Sequence, residues 1–377
     1  MHSMPETVVW LIRHGTSTFN LEGRCQGCSD EPELTQQGRE EARLSGERLG
    51  RAGIEAVISS PLRRATQSAF EILDMLRPHA GDIPFDIDAR LLEIELPEWE
   101  RLPFAEIQRR FPEQLLTWRI HPNHFRMPLA YGAGDFPVRS LYRRARQVWQ
   151  DLLPAYAGKS ILLVTHGGTG RALITTALGL GPKYFHSLQQ SNCGISRLRF
   201  LAPEDGAQLE LLNDTAHLGD RLPKLKEGRT GVRLLLIPAM ESTPGGLRQV
   251  SSALERVAVD QVFAVGPAGG AAASRILQSR TKEFTQQVSE DVLGSVVNEM
   301  LESGSDKELC HVVLAASPAC LQGVLQERFG LTKSAAETLI LTGPGITPVH
   351  CPGHGVPPVL QAMNIFERQF GLMGVQP

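Results

Sequence analysis

"VVWLIRHGTSTFN", residues 8–20, opens as an apolar run and closes on an arginine, a histidine and a glycine. Its first five residues read as a buried strand, covered on both faces as in a parallel sheet flanked by helices. The next stretches repeat the theme. "LTQQGREEARLSGERLG" (34–50) has a Thr cap followed by apolar positions at helical spacing, and "AVISS" (56–60) leads into "PLRRATQSAFEIL" (61–73), with Pro61 suited to a first helical turn. "SILLVTHGG" (160–168) runs into "TGRALITTALGLG" (169–181), whose glycines end a helix. Strands alternating with helices of this length predict an α/β fold, a three-layer α/β/α sandwich around a mostly parallel sheet. Chemistry in such sheets sits at the carboxyl ends of the strands. Arg13, His14, Arg63, Arg64 and His166 all fall there.

At 377 residues the chain is longer than one core usually grows, which predicts two domains. After "GDRLPKLKEGRTG" (219–231), a charged stretch with Gly and Pro that reads as a linker, the pattern starts again. "LLLIPAMEST" (234–243) lies under "VWLIRHGTST" (9–18), "VFAVGPAGGAAASRIL" under "VISSPLRRATQSAFEIL", and "CHVVLAASPACLQGVL" under "SILLVTHGGTGRALI". The expectation is a duplicated domain, active over 1–222 and degenerate over 230–377. In this alignment Arg13 faces Pro238, His14 faces Ala239, Arg63 faces Gly269 and His166 faces Ala316. From residue 231 onward there are 10 Lys and Arg against 13 Asp and Glu, whereas the first 230 residues carry 28 of each. The second half keeps the strands and loses these cations together, which marks the four as one functional unit. The second half itself is expected to be structural or regulatory, packing on the first or forming a homodimer face.

A net charge of -3 disfavours nucleic acid and anionic membrane surfaces as partners. No uncharged apolar stretch reaches membrane-spanning length, and "MHSMPET" (1–7) offers neither a signal nor a transit pattern, so a cytoplasmic location is expected. Six scattered cysteines, Cys25, Cys28, Cys193, Cys310, Cys320 and Cys351, fit reduced thiols.

Two arginines and two histidines converging at strand ends suit a phosphomonoester, whose dianion loses its water only if fixed donors replace it. Arginine supplies a planar fork matched to phosphate oxygens. With no metal-ligand set in view an in-line nucleophile is needed, and a neutral imidazole on His14 can attack phosphorus and carry the phosphoryl group, so no cofactor is expected. The leaving alkoxide then needs an acid; Glu93 in "RLLEIELPEW" (90–99) is the first candidate and Glu95, on the same face of an extended segment, the second.

"LIRHGTSTFN", "GRCQGCSDEPELTQQG", "SSPLRRATQSA", "LLEIELPEWE" and "VTHGGTGRALI" together resemble the successive motifs of the histidine phosphatase superfamily, phosphoglycerate-mutase-like branch, over about residues 7 to 215. That resemblance implies His14 as nucleophile, Glu93 as proton donor, and Arg13, Arg63 and His166 as phosphate ligands. Asn20, Gln26 and the backbone of Gly167 would add substrate contacts. "FPVRSLYRRARQVW" (136–149), "YFHSLQQSNCGISRL" (184–198) and a degenerate second domain are similar to the group of 2-carboxy-D-arabinitol-1-phosphatases and bacterial relatives within that family. The implied activity is hydrolysis of a small sugar-acid or hydroxy-acid phosphate. Phosphoserine phosphatase and phosphoglycerate mutase activities are the enzymatic alternatives, and a phosphometabolite sensor or assembly partner is the non-enzymatic one.

Other features carry blander expectations. Arg64 is read as facing solvent or a neighbouring carboxylate, and "RRAR" (143–146) as the wet side of a helix. "CQGC" (25–28) has the spacing of a redox pair or half a zinc site, and "HPNH" (121–124) and "HCPGH" (350–354) look like ligand clusters in loops. "HPNHFRMPLAYGAGD" (121–135) is expected to cover the pocket.

Overall fold

In the computed structural model the described residues are 6–129, 134–202, 206–226, 228–239, 250–255, 257–276, 285–304, 308–343, 345–353 and 355–365. They form two compact units, residues 6–186 with 190–209, and residues 187–189 with 210–365. The division falls at Leu209 and Glu210, ahead of the charged 219–231 stretch.

The first sheet is built from β1 (Thr7–Arg13), β2 (Ala56–Ser59), β3 (Phe85–Ile87), β4 (Ser160–Thr165), β5 (Ile195–Phe200) and β6 (Gln208–Asp214). Its order is β3-β2-β4-β1-β5-β6. Pairings β1–β4, β2–β4 and β2–β3 are parallel, whereas β1–β5 is antiparallel, so the sheet is mixed, with its parallel part around the carboxyl ends of β1 and β4. Val9, Trp10, Leu11 and Ile12 are each at most 1% exposed. Successive strand residues point to opposite faces, so both faces of β1 are covered. The helices are α1 (Thr18–Leu21), α2 (Gln36–Leu49), α3 (Arg63–Ala80), α4 (Phe104–Arg110), α5 (Pro112–Ile120), α6 (Pro137–Ala155) and α7 (Gly167–Ala177), with α2 packed on α3 and α6 on α7. Thr35 caps α2 by accepting from the Gly38 amide, the cap expected from its hydroxyl. Pro61 lies outside α3, which begins two residues later.

The second sheet comprises β7 (Val232–Pro238), β8 (Gln261–Val265), β9 (Thr285–Val288), β10 (Cys310–Ala316), β11 (Thr347–Cys351) and β12 (Val359–Leu360). Read from β9 its order is β9-β8-β10-β7-β11-β12, the first sheet's order strand for strand. The parallel and antiparallel pairings match as well. Its own core gathers Leu235, Ile237, Val262, Ala264, Val313 and Ala315. Register refines the alignment of the two halves. Arg13 pairs with Thr165 and the His14 amide donates to Thr165 O; Pro238 pairs with Ala316 and the Ala239 amide donates to Ala316 O. Arg13 therefore matches Pro238 and His14 matches Ala239, but His166 matches Ser317, one residue beyond the expected Ala316. Both are N-cap residues, His166 of α7 and Ser317 of the helix Pro318–Phe329. Among the described residues no helix is long and apolar enough to cross a membrane.

Candidate active site

β1 ends at Arg13, and the chain turns at once into the α2 layer. The turn works because Gly15 and Gly38 face each other: a Cβ on Gly15 would lie 2.2 Å from Gly38 O, and one on Gly38 would lie 2.1 Å from Thr16 O. Ser68 Oγ accepts from the Gly15 amide (3.0 Å). The close approach holds His14 at the carboxyl edge of the sheet, where it is 2% exposed.

His14 Nδ1 lies 2.8 Å from Gly15 O. A carbonyl only accepts, so Nδ1 carries the proton and Nε2 keeps its lone pair. Burial, with Arg64 and Arg13 close by, holds the His14 pKa well below the ordinary imidazole value, and the ring is neutral at pH 7. His166 occupies the N-cap position of α7 at the end of β4, without a side-chain capping bond; its ring centroid is 5.2 Å from that of His14. Its Nε2 sits 2.7 Å from Ser60 Oγ, while Nδ1 is buried with no hydrogen-bond partner among the described residues. Burial again lowers its pKa, helped by Arg64.

The two guanidiniums of the cluster are Arg13 and Arg64. Arg13 Nη1 donates to Gln190 O (3.0 Å), and burial pulls its pKa down to about 10. Arg64 is 0% exposed and donates to Ser29 O (2.7 Å) and Gly27 O (2.9 Å). This corrects the sequence reading of two adjacent residues. Arg63 points outward, half exposed, in an ion pair with Glu33. Neighbours on a helix project about 100° apart, and α3 buries its 64, 65, 68, 69, 72, 73 and 76 positions, so the inward fork is Arg64. Neither Arg13 nor Arg64 forms a salt bridge with a carboxylate among the described residues, so their positive charge at the carboxyl edge of the sheet is not neutralised by direct pairing.

Glu93 closes the set. Its Oε1 accepts from the amides of Ile94 (2.8 Å) and Thr169 (3.0 Å), and its Oε2 from the amide of Gly168 (3.0 Å). The carboxylate thus sits on the first turn of α7, directly after His166, and accepts from its free amides. Gly168 has to be glycine for this, since a Cβ there would lie 2.6 Å from Glu93 Oε1. A Cβ on Gly167 would stand 3.5 Å from Arg13 Nε. Glu95 is half-buried and takes no part in these bonds among the described residues. Asn20 and Gln26 meet at Ser17, whose Oγ is 3.0 Å from Asn20 Oδ1 and 2.9 Å from Gln26 Oε1.

Asn192 escaped the sequence reading: its Nδ2 lies 2.9 Å from His14 O, 3.1 Å from Gly15 O and 3.0 Å from Asn20 Oδ1, tying the histidine turn to α1. The only signal was a polar residue before a strand in "QSNCGIS". Arg144 corrects another expectation. Within "RRAR" Arg143 and Arg146 are exposed, but Arg144 turns inward and donates to Leu92 O and Glu93 O.

Cys25 and Cys28 are free thiols, each pushed up to about 12 by burial, and Cys28 Sγ donates to Glu93 O (3.1 Å). A protonated thiol is a weak nucleophile, so this environment does not favour easy oxidation. His121 and His124 are exposed, with ring centroids 6.3 Å apart. His350 is buried, its Nε2 2.9 Å from Thr230 O. His354 of "HCPGH" and residues 130–133 of the expected cover lie outside the described residues. Among the described residues no group of three or more His, Cys, Asp or Glu stands within metal-ligating reach.

The sequence profile of the Histidine phosphatase superfamily (branch 1) matches residues 9–215. A probable 2-carboxy-D-arabinitol-1-phosphatase of Arabidopsis thaliana is 40% identical over 211 residues, covering 55% of this chain and 42% of that protein. A probable phosphoglycerate mutase of Yersinia enterocolitica is 33% identical over 226 residues, covering 58% of this chain and 97% of that protein. Phosphoserine phosphatase 1 of Hydrogenobacter thermophilus is 27% identical over 211 residues, covering 56% of this chain and 93% of that protein. The chain spans less than half the length of the first of these relatives.

Proposed function

The chain belongs to branch 1 of the histidine phosphatase superfamily, and from that premise we propose that it is a phosphomonoesterase working through a phosphohistidine. The observation that carries this reading is the group of buried His14, Arg64 and His166 with half-buried Arg13, in which the two guanidiniums form no salt bridge to a carboxylate among the described residues. Buried guanidiniums without an ion pair are costly unless an anion visits them. A phosphate dianion supplies that anion, and charged hydrogen bonds to it contribute roughly 1.5–3 kcal/mol each.

In the proposed scheme His14 Nε2 attacks phosphorus in line, the P–O bond to the leaving group breaks, and Glu93 gives its proton to the departing alkoxide. A water then gives its proton back to Glu93 and attacks the phosphoryl group, breaking the P–N bond and releasing inorganic phosphate. Arg13, Arg64 and His166 hold the equatorial oxygens as charge shifts between them. No metal takes part in either step. Asn20, Gln26 and the Gly167 amide are proposed to touch substrate.

For the substrate we propose a small sugar-acid or hydroxy-acid phosphate, supported by the likeness to the Arabidopsis protein. The likeness to the Yersinia protein favours a second reading, in which the phosphohistidine returns its group to another hydroxyl and isomerises 3-phosphoglycerate. The second compact unit, lacking the cations, is proposed to be structural or regulatory.

The test is turnover of purified protein on a panel of phosphoserine, phosphoglycolate, 3-phosphoglycerate and sugar-acid phosphates, measuring both free phosphate and isomerised product. His14→Ala should abolish turnover in a folded protein, and rapid quenching of the unaltered protein should trap an acid-labile phosphohistidine. Near-normal turnover in that variant would refute the scheme.

A further inference from the structure

The segment carrying Glu93 lies outside helix and strand, between the 3₁₀ turn Ala89–Leu91 and the turn at 97–101. Its carbonyls have no ladder to join, and buried carbonyls need donors. Side chains supply them. Leu92 O accepts from Thr169 Oγ1 (2.6 Å) and Arg144 Nη2; Glu93 O accepts from Arg144 Nη2 (2.9 Å) and Cys28 Sγ (3.1 Å).

The carbonyls of Leu92 and Glu93 belong to the two peptide planes that flank Glu93 Cα. Their relative orientation is set by the two backbone torsions of Glu93. One guanidinium nitrogen bonded to both oxygens therefore holds the torsions on which the carboxylate would otherwise swing. Arg144 forms no salt bridge among the described residues, and its Nε is buried without a partner. A neutral amide or a water could satisfy a carbonyl at lower desolvation cost, so the retained charge points to a role beyond filling space.

We propose that Arg144 is the positioning residue for the acid: it clamps the peptides on either side of Glu93 so that the carboxylate stays seated on the first turn of α7, facing the leaving oxygen. This rests on the reading of Glu93 as proton donor. It also explains why a helix with exposed Arg143 and Arg146 turns the arginine between them inward.

The experiment compares two esters on each variant. Glycerol phosphate expels an alkoxide that needs a proton, whereas p-nitrophenyl phosphate expels a phenolate that does not. In Arg144→Met the kcat/KM for glycerol phosphate, which reports only the steps through departure of the leaving group and not the hydrolysis of the phosphohistidine common to both esters, is expected to fall roughly 10- to 100-fold while that for p-nitrophenyl phosphate changes by less than about threefold. Arg144→Lys, which keeps a donor and the charge, should recover part of the loss. A uniform fall in kcat/KM on both esters, or no change on either, in a protein with unaltered thermal unfolding would overturn the clamp. If the Met variant fails to fold, Arg144→Gln is put through the same comparison. Glu93→Gln separates the two ideas: if it shows the ester split and Arg144→Met does not, the clamp alone fails; if it shows no split, the acid assignment fails and takes the clamp with it.

Discussion

Arg63 and Arg64 make the sharpest contrast between two neighbouring side chains. Arg64 is fully buried beside both histidines, and Arg63 is half exposed against Glu33. Losing two charged hydrogen bonds to an oxyanion, at roughly 1.5–3 kcal/mol each, predicts that Arg64→Met lowers kcat/KM by about 10²- to 10⁴-fold. Arg63→Ala should stay within about threefold, because an exposed ion pair contributes little; steady-state kinetics on both variants check the pair. The phase that decides between them was present in the sequence, since Ala65, Ala69, Leu73 and Leu76 trace the apolar stripe and Arg64 stands one turn before Ser68 on its flank. Asn192 was not legible, because it reaches His14 across 178 positions of chain. The histidines add a pH dependence. Burial holds His14, His166 and His186 well below their unfolded pKa, so they fold neutral. The unfolded chain then binds more protons as pH falls below about 6.5. Stability is therefore full above that value and declines below it, by up to roughly 1.4 kcal/mol per pH unit for each histidine. Urea unfolding at pH 7.5 and 5.5 should show the midpoint moving down in acid; an unchanged midpoint would count against neutral burial.

At the scale of elements, the strand and helix alternation was readable from periodicity, because helices on both sides force apolar residues onto consecutive strand positions. What periodicity does not encode is how closely a helix end approaches another backbone. The first turn of α7 receives the Glu93 carboxylate only because residue 168 has no side chain. Gly168→Ala puts a carbon 2.6 Å from Glu93 Oε1, a contact that the carboxylate must leave. Alanine suits a helix better than glycine by about 1 kcal/mol, so the helix itself should not suffer. The expected outcome is a folded protein with thermal stability near or above that of the parent and kcat reduced roughly 10- to 100-fold on alkyl phosphates. A variant with normal kcat would show that the carboxylate works equally well away from this turn.

Over the whole molecule the two sheets share one strand order and one pattern of pairing, while their carboxyl edges differ in charge. The repeat could be read in the sequence because buried strands must stay apolar whatever the edge residues become. The one-residue slip at His166 could not, since β4 has six residues and β10 has seven, and only pairing shows which end absorbs the extra one. With register in hand, the second unit offers Pro238, Ala239 and Ser317 where the first offers Arg13, His14 and His166. A proline there has no side-chain donor and an alanine has no nucleophile. A serine hydroxyl alone cannot replace the hydration of an oxyanion. The chain, both units together, should therefore bind inorganic vanadate, which mimics the phosphoryl group in transfer, at one site per chain. Calorimetric titration measures that stoichiometry directly. Arg64→Met should weaken this one site and unmask no second, whereas saturation at two per chain would mean that the second sheet had kept an oxyanion site by some means other than these positions.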